Sequence, residues 1–392
     1  MRRILVVHNA YIYKGGEDSV MEDEVALLTS HGHPVELFSR RNTELAQMPK
    51  ASAVIQTLWS RQSSQAFESL VRSFKPDLVH VHNTFPLVSP SIYWVADRLG
   101  LPLIQTLHNF RLMCPQAMFL RKEKVCEDCL GKVPWRGAVR GCYRDSKLQS
   151  TLLAGMVTLH RAIGTWQHKV TRYIALNEFC RGKFIEGGLP AERIVIKPNF
   201  VDFKAPVAAA RTGFLFVGRL SPEKGIDVLV SATKATPNAQ LRVAGTGPEA
   251  ASLQGVDGIN ALGALSMDAV RVEMIQAMAL VLPSIWYENF PRTLVEAFGC
   301  GLPVIASRIG ALAELVTEGV TGLLFEPGDA IDLSKKLLWA QQHPDQMAEM
   351  GRNARALYEA EFTAERNYQQ LMVIYEDAIA EVKNKTTHKA VA

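Results

Sequence analysis

The stretch GFLFVGRLSPEKG, residues 213–225, decides the fold. A short apolar strand (213–217) runs into a glycine-bearing turn and then into a helical pattern, the opening of a βαβ unit. Gly218 lets backbone approach a ligand closely, and Ser221 followed by Pro222 is a helix-start signal. Arg219 and Lys224 set two cations beside that start, where the helix dipole already favours anions. A diphosphate is the natural guest. The bland alternative is a capped helix with two surface cations. The N-terminus opens in the same way: strand 3–8 (RILVVH) leads to Gly15, Gly16 and Glu17.

Working outward, β-branched runs alternate with longer helical patterns along both halves. Strands are expected at 3–8, 35–38, 78–82, 103–107, 173–176 and 194–197, and again at 213–217, 241–244, 259–262, 279–283, 303–307 and 323–325. Two such series predict an α/β chain of two doubly wound, Rossmann-like domains, residues 1–200 and 201–365, with 202–212 as linker. From about 330 the pattern is helical to near 382. The part from 366 is expected to pack back on the first domain and to end in a frayed tail at 383–392. Ligands of such sheets bind beyond the carboxyl ends of the strands, so the cleft between the domains is the expected site.

The composition, 392 residues with 48% apolar and 21% charged, excludes disorder and collagen-like or repeat architectures. The N-terminal apolar run stops at His8 and Asn9, too short for a secretory h-region, and no stretch reaches the length of a membrane span. A cytoplasmic, reducing location is the expectation. The net charge of +4 hides an asymmetry. Residues 1–200 hold 26 basic against 17 acidic side chains, and residues 201–392 hold 17 against 22. Much of the excess lies in 121–172, with eleven basic residues to four acidic. Such a split suits an anionic ligand or surface, or simply a solvated face.

A second motif follows strand 279–283: Glu288-Asn289-Phe290-Pro291-Arg292-Thr293-Leu294-Val295-Glu296. With a helix beginning near Pro291, Glu288 lies in the loop and Glu296 inside the helix. Set that far apart, the carboxylates suit the two hydroxyl-rich ends of an extended ligand.

In this order, Gly-Gly-Glu, a strand ending in Thr106 and His108, GRLSPEKG, Gly245-Thr246-Gly247-Pro248-Glu249 and Glu-x7-Glu, the chain resembles the retaining, nucleotide-sugar-dependent glycosyltransferases of family 4, which have the GT-B fold. The resemblance covers nearly the whole chain and implies a role for each matching position. Arg219 and Lys224 would bind the donor diphosphate, with Gly218 allowing its close approach. Glu296 would hold the ribose hydroxyls and Glu288 the donor sugar. Asn289, Phe290, Pro291, Thr293 and Leu294 would line the sugar and phosphate, mainly through backbone amides, although Pro291 has none to give. Gly15 and Gly16 would let the first loop close on the phosphate, and His108 would sit where sugar meets acceptor. Asn289 stands where most members of the family have a small residue, so donor preference does not carry over. His8, His80 and His82, at strand ends of the same sheet, read as structural.

No Asp-x-Asp occurs in the chain, so a metal bridging the phosphates is not indicated and the chemistry is expected to need no cofactor. Fixed cations and helix-terminal amides would stabilise the leaving group instead. Cys114, Cys126, Cys129 and Cys142 fall in a long loop, 111–146. Four thiolates suit a structural zinc, and buried thiols are the other reading.

The expected partners are a UDP- or GDP-sugar and a glycan or lipid-linked saccharide acceptor of surface polysaccharide. An anionic membrane surface at the inner face of the cell membrane is a further expected partner. A zinc-stabilised nucleic-acid-binding module is an alternative, though aromatic residues are few in the basic segment. Another GT-B enzyme, such as a nucleotide-sugar 2-epimerase, is a second alternative.

Overall fold

The computed structural model describes residues 1–12, 15–202 and 211–391. The chain divides into two compact units. One comprises Met1–Ala117, Glu127–Lys197 and Asn367–Ala392, and the other Met118–Cys126 and Pro198–Arg366. Most of the expected linker, residues 203–210, lies outside the described residues.

All twelve expected strands form. In the first unit they are β1 (Ile4–Ala10), β2 (Val35–Arg41), β3 (Leu78–Asn83) and β4 (Leu103–Thr106). After a two-stranded hairpin, β5 (Leu120–Arg121) and β6 (Lys124–Val125), come β7 (Arg172–Ala175) and β8 (Ile194–Ile196). The first sheet has the order β2-β1-β3-β4-β7-β8, and every pairing in it is parallel. Continuous apolar runs suit this architecture because parallel strands are covered on both faces: Ile4 to Val7 are at most 1% exposed. The last helix, Ala364–Val391, adds Leu371, Ile374, Tyr375, Ala378 and Ile379 to the core around Ile4, Val6, Leu78 and Ile104. This helix runs on to Val391, past the point where the sequence reading puts a frayed tail.

The second unit holds β9 (Phe214–Val217), β10 (Leu241–Ala244), β11 (Ile259–Gly263), β12 (Ala279–Leu282), β13 (Val304–Ser307) and β14 (Gly322–Phe325). They are again all parallel, ordered β11-β10-β9-β12-β13-β14. The direction of winding reverses between β9 and β12. In open α/β sheets the crevice at such a reversal, outside the carboxyl ends, is where ligands bind. The two motifs of the second half leave those two strands.

The loop 111–146 does not belong to one domain. Its 118–126 part groups with the second unit, where Phe119 lies edge-on to Tyr287 at 6.3 Å between ring centres.

Candidate active site

In the second unit, three loops interlock at the carboxyl ends of β9, β10 and β12. The loop after β10 is tied to the one after β9, since Leu220 N–H donates to the Thr246 carbonyl (2.9 Å) and Glu249 N–H to the Leu220 carbonyl (3.0 Å). Gly245 is required here, because a Cβ would overlap the Gly218 carbonyl oxygen. The loop after β12 meets the first through Ile285 N–H, which donates to the Glu223 carbonyl at 3.0 Å. Gly225, at φ +69°, lies so close to Pro283 that a Cβ would overlap its carbonyl oxygen.

That contact corrects one expectation. Ser221 does not cap a helix. Residues Pro222–Lys224 form a single 3-10 turn, and the helix proper, Ile226–Ala235, starts after Gly225. The Ser221 hydroxyl donates instead to Glu223 (2.7 Å).

The turn brings Lys224 to Glu288. The ammonium lies 2.6 Å from Glu288 Oε1, which also accepts from Ser284 Oγ at 2.6 Å. The Glu288 side chain is 8% exposed and that of Lys224 is 24%. Arg219 points outward, 69% exposed, with only a 3.5 Å contact to Glu223. The loop thus presents one open cation and one cation already set against a carboxylate. Trp286 lies beside them, its ring centre 5.8 Å from the Lys224 ammonium. Its buried Nε1–H has no hydrogen-bond partner among the described residues, and nothing in the sequence reading singles it out.

The helix Arg292–Gly299 begins one residue later than expected, with Pro291 as its N-cap and no side-chain cap. Its first-turn N–H groups are the kind that a helix start leaves for a ligand. Glu296 sits inside this helix, 4% exposed, and Thr293 is half-buried on its first turn. Asn289 and Phe290 are buried, and the Phe290 ring packs on Phe362 at 6.1 Å. The Leu294 side chain is wholly in the core and its amide donates to the Pro291 carbonyl (3.0 Å).

In the first unit, the segment after β1 is joined to the segment after β4. Glu17 accepts from Tyr11 OH (2.9 Å) and from Asn109 Nδ2. Burial raises the Glu17 pKa, and the two hydrogen bonds oppose the shift. Asp18 accepts from Gly15 N–H (2.7 Å) and pairs with His8 Nε2 (2.8 Å). A Cβ at Gly16 would meet nothing within 4 Å among the described residues.

His108 follows β4, and its Nε2 lies 2.9 Å from Nδ1 of His82. The far nitrogen of His82 is buried without a partner among the described residues, so the network is satisfied best when His82 donates from Nδ1. His108 then accepts at Nε2 and keeps its own proton on Nδ1. Burial pushes the His108 imidazole down to about 3, with His8, His80 and Lys197 adding to the shift. It is a neutral donor at physiological pH. His82 therefore orients a candidate site residue, a role that the sequence reading leaves out.

Among the described residues, only Glu24, His80 and His82 bring three potential metal-ligand atoms within 4.8 Å of one another. In that trio both nitrogens of His80 are engaged, whereas Glu24 Oε1 and His82 Nε2 have no hydrogen-bond partner among the described residues. His80 meets Tyr375 OH (2.7 Å) and Thr106 Oγ1 (2.8 Å), and the Lys197 ammonium lies 3.8 Å from Glu24. Of the four cysteines of the expected zinc site, Cys114 and Cys129 are buried and Cys126 and Cys142 half-buried. Cys126 ends the segment that groups with the second unit, whereas the other three lie in the first.

Comparison with known proteins agrees with this geometry. A family model described as "Glycosyl transferase 4-like domain" matches residues 15–199, and "Glycosyl transferases group 1" matches 201–357. The D-inositol 3-phosphate glycosyltransferase of Mycobacterium leprae is 30% identical over 333 residues, 80% of this chain and 72% of that protein. The D-rhamnosyltransferase WbpZ of Pseudomonas aeruginosa is 34% identical over 160 residues, 38% of this chain and 42% of WbpZ. The chain spans about half the length of the curated relatives that, like WbpZ, it matches over shorter stretches. Anabaena HepE, solved in complex with UDP, has the same fold, with a TM-score of 0.66 at 18% identity over 96% of this chain and all of that one. The chain belongs to the group 1 glycosyl transferases of the family 4 type, built on the GT-B fold.

Proposed function

We propose that the second unit binds a UDP- or GDP-sugar and that the enzyme transfers the sugar, with retention, to a glycan or lipid-linked saccharide in surface polysaccharide assembly. The observation that carries this reading is the Lys224–Glu288 pair at 2.6 Å, on the loops that follow the two strands flanking the reversal of winding. An ammonium suits a leaving phosphate, and a carboxylate accepts hydrogen bonds from sugar hydroxyls. In this reading the pair acts at the sugar–phosphate bond that has to break.

In this reading Lys224 and Arg219 neutralise the charge that grows on the departing diphosphate, with no metal needed for the chemistry. The acceptor oxygen bonds to the sugar on the face that the phosphate leaves, and the acceptor's proton passes to the leaving phosphate. Glu296 takes the ribose hydroxyls. The amides around Asn289, Phe290 and Thr293 orient the phosphate and sugar. In the first unit, Gly15 and Gly16 are assigned to the phosphate, and His108, as a neutral Nδ1–H donor, to the sugar and acceptor. UDP heads the candidate nucleotides because the similar HepE was solved with UDP and with UDP-glucose. The basic first half fits an acceptor on an anionic carrier, such as an isoprenoid diphosphate, and peripheral attachment at the inner membrane face.

Titration calorimetry with UDP, GDP, ADP and dTDP tests the donor assignment. One nucleotide should bind, and Glu296→Gln should weaken that binding about tenfold to a hundredfold, the worth of hydrogen bonds to a charged group. Unchanged affinity in the variant contradicts the assignment.

A further inference from the structure

The helix Lys147–Ala162 is apolar on two sides. Leu153, Met156 and Val157 face the interior of the first unit, and Leu148 and Leu159 face outward at 74% and 39% exposure. Leu148 and Leu159 are eleven residues apart, about three turns, and so share one outward strip of the helix. The helices Lys50–Leu58 and Trp135–Arg140 pack beside it and extend the uncovered face with Ile55, Trp135 and Val139, exposed by 64%, 57% and 61%. Of the eighteen large apolar side chains exposed among the described residues, eight fall on these three helices and their flanking turns. Such a concentration marks an interaction surface.

The charges around it are predominantly basic. Residues 132–163 carry Lys132, Arg136, Arg140, Arg144, Lys147 and Arg161 against the single acid Asp145. Asp128 pairs with Arg136 and Arg140 and offsets part of that charge. An apolar face rimmed by cations, with a tryptophan at its edge, fits the boundary between headgroups and acyl chains of an anionic bilayer. No helix among the described residues is long and apolar enough to cross a membrane, so the contact is one of lying on the surface.

We infer that this face, built on Trp135, Val139, Leu148 and Leu159 within a rim of lysine and arginine, docks the first unit onto an anionic phospholipid surface. The inference deepens the membrane attachment proposed above by naming the surface that makes it.

Flotation with phosphatidylcholine vesicles containing phosphatidylglycerol, at low salt, is the test. The wild-type protein is expected to float with these vesicles and not with pure phosphatidylcholine. Lys132→Gln with Lys147→Gln should lower partitioning about twenty-fivefold, at roughly fivefold per charge. Trp135→Ser with Leu148→Ser should lower it at least about tenfold. Met267→Ser with Val272→Ser, exposed apolar positions of the second unit, should change nothing. Nucleotide binding is expected to be the same in all four proteins, which separates this face from the donor site. Three results overturn the inference. One is no flotation of the wild-type protein, which also removes the membrane reading. Another is flotation unaffected by the two face variants, which removes only this face. The third is a dimer, seen by light scattering, that both face variants dissociate, which makes the face an interface between two copies.

Discussion

Replacing Lys224 with alanine is expected to lower kcat about a hundredfold to a thousandfold while leaving the fold intact. That is the usual cost of removing one preorganised group that stabilises charge in the transition state. The ammonium is held 2.6 Å from Glu288 by a turn whose shape depends on Gly225, so its position is fixed before any ligand arrives. Glu288 would retain the Ser284 hydroxyl at 2.6 Å, which limits the damage to the loop. The melting temperature should move by only a few degrees. Lys224→Arg should recover part of the loss, since charge is kept and geometry is not. Steady-state kinetics with a calorimetric scan of each variant decides the matter. A kcat within about fivefold of wild type would show that the cation is an ordinary surface partner of Glu288.

Mild acid is expected to destabilise the first unit. His80 is wholly buried, and burial pushes its pKa down to about 4 against the pull of Glu24, with Lys197 adding to the shift. His82 and His108 are shifted in the same direction. An unfolded chain takes up a proton on each of these near pH 6.5, and the folded protein does not until far lower. Stability is therefore lost as pH falls through that window, at about 1.4 kcal/mol per pH unit for each such group. Between pH 6.5 and 5, His80 alone would contribute a loss of about 2 kcal/mol. Glu17, raised by burial, works in the opposite direction and offsets a part. Calorimetric scans at pH 7.5, 6.5, 5.5 and 5.0 should show one transition moving down steadily, with a shallower slope in His80→Gln. A transition that stays put across the range would mean that these imidazoles titrate as exposed ones do.

The twelve sheet strands were legible in the sequence because each is an apolar run set between helical patterns, and parallel strands bury both faces. The hairpin at 120–125 was not, since its strands are two residues each and its sequence, LRKEKV, is dominated by charge. Local spacing placed Glu288 in a loop and Glu296 in a helix. It did not show that Lys224 reaches Glu288, because a contact across 64 positions depends on the strand order. Nor did it show that Lys197, inside an apolar run, would be buried on Asn367 at 3.1 Å, 170 positions away. Ser221-Pro222 read as a helix start, and the left-handed Gly225 pressed against Pro283 stops that turn after three residues.

A crystal structure of the enzyme with its nucleotide sugar tests the central claim most directly. The diphosphate should lie against Arg219 and Lys224, the ribose hydroxyls on Glu296 and the sugar at Glu288. A nucleotide bound away from the loops that follow β9 and β12, with those four side chains untouched, would contradict it.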